Sequence, residues 1–402
     1  MIKSTIAFAI FGFLAAQADA RARDLGILFE GRPGPLNAIT DVPGVEVGQK
    51  TLIEGEGALK VGIGPVRTGV TVIFPRGRGD ARPVYGGFFD LNGNGEMTGR
   101  SYLDDFGIVQ GPIGISDTNA IGQVYAGIQQ WSVKTSGSAT WPVVAETWSG
   151  YLNDLEGFHV TAQTAIAALD SAASGPVEEG NVGGGTGMVC FGFKGGIGTA
   201  SRVVTIDGKS YSVGVLVQCN TGDRKVLRIA GAPVGQELRK RWLPCFDPKV
   251  AKSSGPLKPC DASGSDGTPP PDQGSIIIVV GTDAPLMPKQ LDRVAKRAAL
   301  GLARLGSYAG NASGDLILSF STATAEVNHE DQEKPSAINP LGNAHIDPLF
   351  EAATQATEEA VVNALVAART MTGANGTRFF GIPHDELRTI LKSYNRLEGA
   401  VP

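Results

Sequence analysis

Five consecutive β-branched residues, Ile276-Ile277-Ile278-Val279-Val280, leave this chain few ways to fold. Side chains on a strand alternate between the two faces of a sheet. A run that is apolar at every position therefore has to be covered on both. Gly274 and Ser275 stand directly in front of the run. Upstream, residues 246–274 shift to Pro, Gly, Ser, Asp and Lys, with Pro269-Pro270-Pro271 near the end, and read as a solvated connector. The local pattern admits two readings. In one, a loop leads into a buried strand and Ser275 is an ordinary first residue. In the other, the chain cuts itself between Gly274 and Ser275, and Ser275 becomes both the start of a new subunit and the nucleophile of a hydrolase.

Strand-like and helix-like segments alternate through the rest of the chain. Residues 69–75, 142–148, 211–220 and 316–320 read as strands. Residues 161–172, 289–307 and 349–370 carry helical apolar spacing, with Ala162, Ala165, Ile166 and Leu169 on one face of the first. A further helix is expected from Asn119, after turn residues, and Asn311 to Asp315 reads as a turn. This alternation predicts an α/β layered fold. The 402 residues are enough to bury a sizeable core, and 55 of them are glycine. That share points to tight turns and close backbone approaches rather than long helices. Residues 82–100 are dense in small and turn residues. The cluster Gly180 to Met188 reads as backbone packed closely around a site or as an array of turns.

Several function classes find no support. The net charge is −5 and the longest basic run is Arg239-Lys240-Arg241, so nucleic acid is not an expected partner. No calcium-loop spacing occurs in residues 86–96. Gly208-Lys209-Ser210 has the tail of a P-loop, but Val203 stands where its first glycine belongs. No C-x-x-C or H-x-x-x-H spacing exists, and neither a metal nor a cofactor is expected. Cys245 and Cys260 flank the connector, where a loop-closing bridge and free thiols fit equally well. Cys190 and Cys219 lie inside apolar runs and read as buried thiols. Lys3, the apolar stretch 6–16 and Ala18-Asp19-Ala20 form a secretory signal over residues 1–20. The mature chain is then expected from Arg21, in the periplasm or secreted, and no later stretch is long enough to span a membrane.

A serine hydrolase of the α/β type needs a G-x-S-x-G elbow, and none occurs. Ser263-Gly264-Ser265-Asp266-Gly267 comes nearest, with serine at the first glycine position. Weight shifts to a nucleophile that carries its own base. A serine at a new N-terminus is one, because its α-amine, with a pKa of about 7.7–8.0, accepts the hydroxyl proton at neutral pH.

Five stretches in one order along the chain carry a family resemblance: residues 142–154 (PVVAETWSGYLND), 180–202 (GNVGGGTGMVCFGFKGGIGTASR), 217–222 (VQCNTG), 274–286 (GSIIIVVGTDAPL) and 313–322 (SGDLILSFST). With them the chain resembles the DmpA family of N-terminal-nucleophile aminopeptidases, which includes the β-peptidyl aminopeptidases. The departure from the family is the stretch 246–273, which is longer than usual. The resemblance implies an α/β fold that is a four-layered αββα sandwich of the DmpA/ornithine acetyltransferase type. It implies self-cleavage into an α chain, residues 21–274, and a β chain, residues 275–402, which together form one catalytic domain. It also implies assembly of several αβ units into a larger oligomer.

The site roles come from the same resemblance. Gly274 and Ser275 form the cleavage site and Ser275 is the nucleophile. Asn220 matches the oxyanion-hole asparagine, Glu146 the acid that holds the substrate amine, and Ser313 with Asp315 a hydroxyl–carboxylate pair near the nucleophile. Some members carry Glu where this chain has Asp315. Without the resemblance, Asn220 reads as a strand-end turn residue, Glu146 as a rim charge on an edge strand, and Ser313 and Asp315 as turn punctuation. The working base is either the Ser275 α-amine or the Ser313/Asp315 pair. The implied activity is an aminopeptidase acting on short peptides, amides or esters with a free N-terminal amine. A β-peptidyl aminopeptidase comes first, and an L-aminopeptidase/D-amino-acid esterase-amidase of the same family is the alternative. An acyltransferase of the ornithine acetyltransferase type fits less well, since that group uses threonine and works in the cytoplasm. A non-catalytic periplasmic binding protein with a glycine-rich cleft is the reading from another class.

Overall fold

The structure is a computed structural model that describes residues 20–260, 274–323 and 339–398. The signal segment, apart from Ala20, and the 261–273 part of the connector lie outside the described residues. The first sheet begins with β1 (Glu46–Glu54) and β2 (Val66–Phe74), antiparallel along their whole length. The chain crosses to a second sheet as β3 (Val84–Gly93) and returns to the first as β4 (Ile113–Asp117), helix α1 (Ile121–Ser136) and β5 (Val143–Thr147). β4 and β5 are parallel, and α1 supplies the crossover that a parallel pair requires. Helix α2 (Ala162–Asp170) follows, with Thr161 capping its N-terminus.

The hairpin β6 (Gly196–Ile206) and β7 (Lys209–Asn220) then builds the second sheet, followed by β8 (Ser275–Thr282), α3 (Pro288–Arg304) and β9 (Gly314–Ser321). β8 lies between β7, antiparallel to it, and β9, parallel to it; β3 pairs with the far side of β9. Helices α4 (Asp347–Ala367) and α5 (His384–Ser393) come last.

Buried side chains sort these elements into layers. Val70, Val72, Phe74 and Val144 pack on Val124, Ile128, Ala165 and Leu169 of α1 and α2. Ile73, Ile113, Ile115, Val143 and Ala145 face Leu216, Ile277, Val279, Leu316 and Leu318 across the gap between the sheets. On the far side of the second sheet, Val215, Val217, Ile276, Ile278 and Val280 meet Leu291, Val294, Ala356, Ala360 and Val361 of α3 and α4. The order is helix, sheet, sheet, helix: the αββα sandwich. The β-branched run is thus divided, three residues to the helices and two to the gap between sheets, and none of the five is more than 1% exposed. Each such burial stabilises by about 1.5–3 kcal/mol. Ser275, two residues before Ile277, starts on the face between the sheets.

The structure departs from the sequence reading in several places. The turn-rich run 82–100 contains β3, a ten-residue strand. Its small residues mark crowding rather than turns: a Cβ on Gly87 would lie 2.3 Å from Asp292 N, and one on Gly86 2.6 Å from Val109 Cγ2. Residues 113–117, expected as turn, are β4, and Gly314 and Asp315 open β9. The cluster from Gly180 is closely packed backbone, since a Cβ on Gly184 would lie 2.2 Å from Gln218 Oε1.

Cys190 and Cys219, expected as separate thiols, are joined in a disulfide, as are Cys245 and Cys260. The correction is tertiary. The short strand Val189–Cys190 lies beside the end of β7, which brings two Cα atoms 29 residues apart in sequence to 5.6 Å. Replacing both Cys190 and Cys219 with Ser is expected to lower stability by about 3–4 kcal/mol, from the loop-closure entropy regained by the unfolded chain. Urea unfolding of variant and parent under non-reducing conditions measures it, and equal midpoints would refute it.

Candidate active site

Strand register gathers Ser275, Asn220 and the start of β9 at one end of the second sheet. Ser275 lies opposite Asn220, the last residue of β7, and opposite Gly314, the first of β9. It is 4% exposed, and its Oγ accepts a hydrogen bond from Gly314 N at 3.2 Å. Both flanking glycines are required by space. A Cβ on Gly314 would lie 2.5 Å from Asn94 O, and one on Gly274 only 1.5 Å from Asn220 O. The main chain just before the nucleophile therefore lies flat against the end of β7, where no other residue fits.

Ser313 Oγ donates to Asp315 Oδ1 at 2.7 Å, in keeping with the pair that the family resemblance implies. Both are fully buried, and Gly314 between them makes the contact to Ser275. Ser313 Oγ also lies 3.1 Å from Thr221 Oγ1. Thr221 extends the pair to a triplet and follows Asn220 directly in the quoted VQCNTG stretch, so its signal was present in the sequence.

The Asn220 amide is held at both ends. Oδ1 accepts from Val189 N at 2.7 Å, and Nδ2 donates to Trp148 O at 2.8 Å. A carboxamide nitrogen carries two hydrogens, so a second can be offered to a bound molecule.

Glu146 arrives from the other sheet. β5 is an edge strand, yet Glu146 is 4% exposed and not a rim charge. It accepts from Glu96 N at 3.1 Å and from Thr118 Oγ1. Burial raises its pKa above the ordinary glutamate value, against the pull of these donors. Its neighbour Asp117 is pushed up to about 6, chiefly by burial.

Ser275 and Glu146 open into one pocket of about 350 Å3, together with Asn94, Thr118, Trp148 and Ala312. Asn220 and Asp315, on the strands flanking Ser275, and Ser313, just before the second of them, are not part of that lining. Thr118 and Asn94 were not singled out in the sequence because one opens a short 3-10 helix and the other lies in the bend after β3, and only folding brings them to the pocket. The cavity is lined by a hydroxyl and a carboxylate, and an amide donor stands on the strand beside the hydroxyl. That set suits attack on the carbonyl next to a cationic amine.

The model of peptidase family S58 matches residues 37–379, a span that holds every residue of the site. The chain belongs to peptidase family S58. Within the family it is 53% identical to the β-peptidyl aminopeptidase BapA of Sphingosinicella microcystinivorans over 389 residues, 96% of each chain. It is 49% identical to the BapA of Sphingosinicella xenopeptidilytica over 384 residues, 94% of this chain and 92% of that one. Among solved structures, the L-aminopeptidase D-Ala-esterase/amidase of Ochrobactrum anthropi superposes with a TM-score of 0.83 at 43% identity, covering 94% of this chain and 99% of that one. That enzyme is described as a prototype of the serine aminopeptidases and a variant of the Ntn hydrolase fold. The fold of this S58 member is therefore the one its sequence motifs implied.

Proposed function

We propose that this S58 peptidase is a β-peptidyl aminopeptidase that makes its own nucleophile by cutting the Gly274–Ser275 bond. One observation carries the reading. Ser275 and the buried Glu146, from different sheets, share one pocket. The identities to two β-peptidyl aminopeptidases, at 53% and 49%, point to the same substrate class.

In the precursor, Ser275 Oγ attacks the Gly274 carbonyl. The acyl group moves from Ser275 N to Oγ, and water then hydrolyses the ester. The products are a Gly274 carboxylate and a free Ser275 α-amine, which define chains 21–274 and 275–402. Before that cut Ser275 N is an amide and cannot act as base, so the Ser313/Asp315 pair is the candidate for the first proton. In the mature enzyme the α-amine becomes available as well.

A substrate then places its N-terminal ammonium at Glu146. Ser275 Oγ attacks the first carbonyl, with Asn220 Nδ2 donating to the oxyanion. The leaving amine takes the proton, and water releases the acyl group. A β-amino acid sets its amine one methylene further from that carbonyl, so the Ser275–Glu146 span decides between substrate classes. The Ochrobactrum relative supports a second reading, an L-aminopeptidase with D-amino-acid esterase/amidase activity. Export through residues 1–20 to the periplasm or beyond, and assembly of αβ units into an oligomer, belong to the same proposal.

A panel of β-homoamino-acid, L- and D-aminoacyl anilides separates the two readings, and preference for L or D anilides would reject the first. Glu146→Gln is expected to lower kcat/KM for amine-bearing substrates roughly 100-fold, the cost of a buried ammonium without its anion. N-acylated analogues should be indifferent to the change. The sign of the pH effect follows from the raised Glu146 pKa. As pH falls through it the carboxylate is protonated and amine binding is lost, so kcat/KM has an acid limb above the ordinary glutamate value. That limb should vanish in Glu146→Gln. If it persists near 6, the titrating group is Asp117, whose carboxyl is pushed up to about 6.

A further inference from the structure

One buried lysine has no part in the reaction as derived so far. Lys194, in the short strand Phe193–Lys194, is 0% exposed. Its Nζ donates to Met188 O at 2.7 Å, Gly195 O at 2.8 Å and Gly185 O at 3.3 Å. Three donors facing three acceptors is the full inventory of an ammonium. A neutral amine would turn its lone pair onto one of those carbonyls. Burial pushes the Lys194 pKa down, and no charged group among the described residues offsets it. An ammonium kept in such a place is costly, and the cost calls for a reason.

The reason lies in the peptide unit between Met188 and Val189. Its carbonyl takes the shortest Lys194 hydrogen bond, and its N–H is the one that donates to Asn220 Oδ1 at 2.7 Å. A line of hydrogen bonds therefore runs from the Lys194 ammonium, through one backbone amide, to the Asn220 side-chain amide. It does two things. It sets which way the carboxamide points: turned by 180°, Asn220 would put Nδ2 against the Val189 N–H and Oδ1 against Trp148 O, two like-with-like contacts. It also polarises the amides in series, since hydrogen bonds in such chains strengthen one another by roughly 10–30% each. The disulfide Cys190–Cys219 ties together the residues next to Val189 and Asn220 and holds this junction closed.

We propose that Lys194 is a positioning residue of the oxyanion site: it clamps and polarises the Met188–Val189 peptide, which presents Asn220 Nδ2 as the donor to the oxyanion. The proposal rests on the reading of Asn220 as that donor. Lys194 itself touches neither substrate nor Ser275.

A double-mutant cycle on the processed enzyme tests it. Lys194→Met keeps the length of the side chain and removes the ammonium. It should lower kcat about 10- to 100-fold, part of the 10²–10³ that an oxyanion donor is worth, with KM little changed. In an Asn220→Ala background the same substitution should cost almost nothing, because the group it positions is gone. Val189→Pro removes the N–H that meets Asn220 and leaves Lys194 in place, so it should reproduce the kcat loss and tests the link from the peptide to Asn220; if Lys194→Met does not fold, neutron diffraction decides the Lys194 end. Losses that simply multiply with that of Asn220→Ala, or a kcat untouched in both variants, would overturn the proposal. If Asn220→Ala itself leaves kcat unchanged, the oxyanion reading fails first. Neutron diffraction of the unmodified protein needs no variant. It should show three deuterons on Lys194 Nζ, and Asn220 with Nδ2 on Trp148 O and Oδ1 on Val189 N, and a neutral Nζ or the opposite amide would equally sink the idea.

Discussion

Ser275→Ala is expected to accumulate as a single uncut chain and to lose hydrolysis by at least about 10⁴-fold, the scale on which removing a serine nucleophile acts. The parent protein should run as two bands under denaturing conditions, with Ser275 as the N-terminal residue of the smaller. Both outcomes follow from one position. Ser275 opens β8, which is buried on both faces and paired on both edges, so its Oγ is held by a rigid mount. The glycine before it is pressed against Asn220 O, which brings the scissile carbonyl into the same corner. A parent that stays in one piece yet cleaves anilides would end the self-processing mechanism. Activity surviving in Ser275→Ala would move the nucleophile elsewhere.

Asn220→Ala is expected to reduce kcat by about 10²–10³-fold, or roughly 3–4 kcal/mol of transition-state stabilisation, with KM little affected. The amide is held by Val189 N and Trp148 O before any substrate arrives, so it has no reorganisation to undergo when charge develops on the oxyanion. Self-cleavage passes through a similar oxyanion and should slow as well. Steady-state kinetics and the rate of band conversion measure the two effects. A variant with normal kcat and lower thermal stability would return Asn220 to the role of a strand-end residue.

Much of the architecture was legible because its signals are local. The β-branched run required cover on both faces, and the cores on either side of β8 supply it. The apolar spacing at 161–172, 289–307 and 349–370 matches α2, α3 and α4 to within a few residues. The family resemblance pointed to Ser313 and Asp315 as a hydroxyl–carboxylate pair, and the two are hydrogen-bonded. Failures came where a local cue had a distant cause. Gly86 and Gly87 look like turn residues, yet they are small because other elements, α3 among them, press against β3.

Local pattern was enough to place a buried strand from Ser275, to predict helices packed on its sheet and, through the ordered motifs, to show which family the chain resembles. Tertiary structure alone decided what stands around that serine. Glu146 reaches the pocket from the opposite sheet, Thr118 and Asn94 from a short 3-10 helix and a bend, and Cys190 meets Cys219 across 29 residues. Lys194 looked like one more residue in a glycine-rich stretch until the fold wrapped three carbonyls around it. The physical reason is the same in each case. Periodicity reports which face a residue occupies, whereas a site is made where faces of different elements meet, and that meeting is set by packing between residues far apart in the chain.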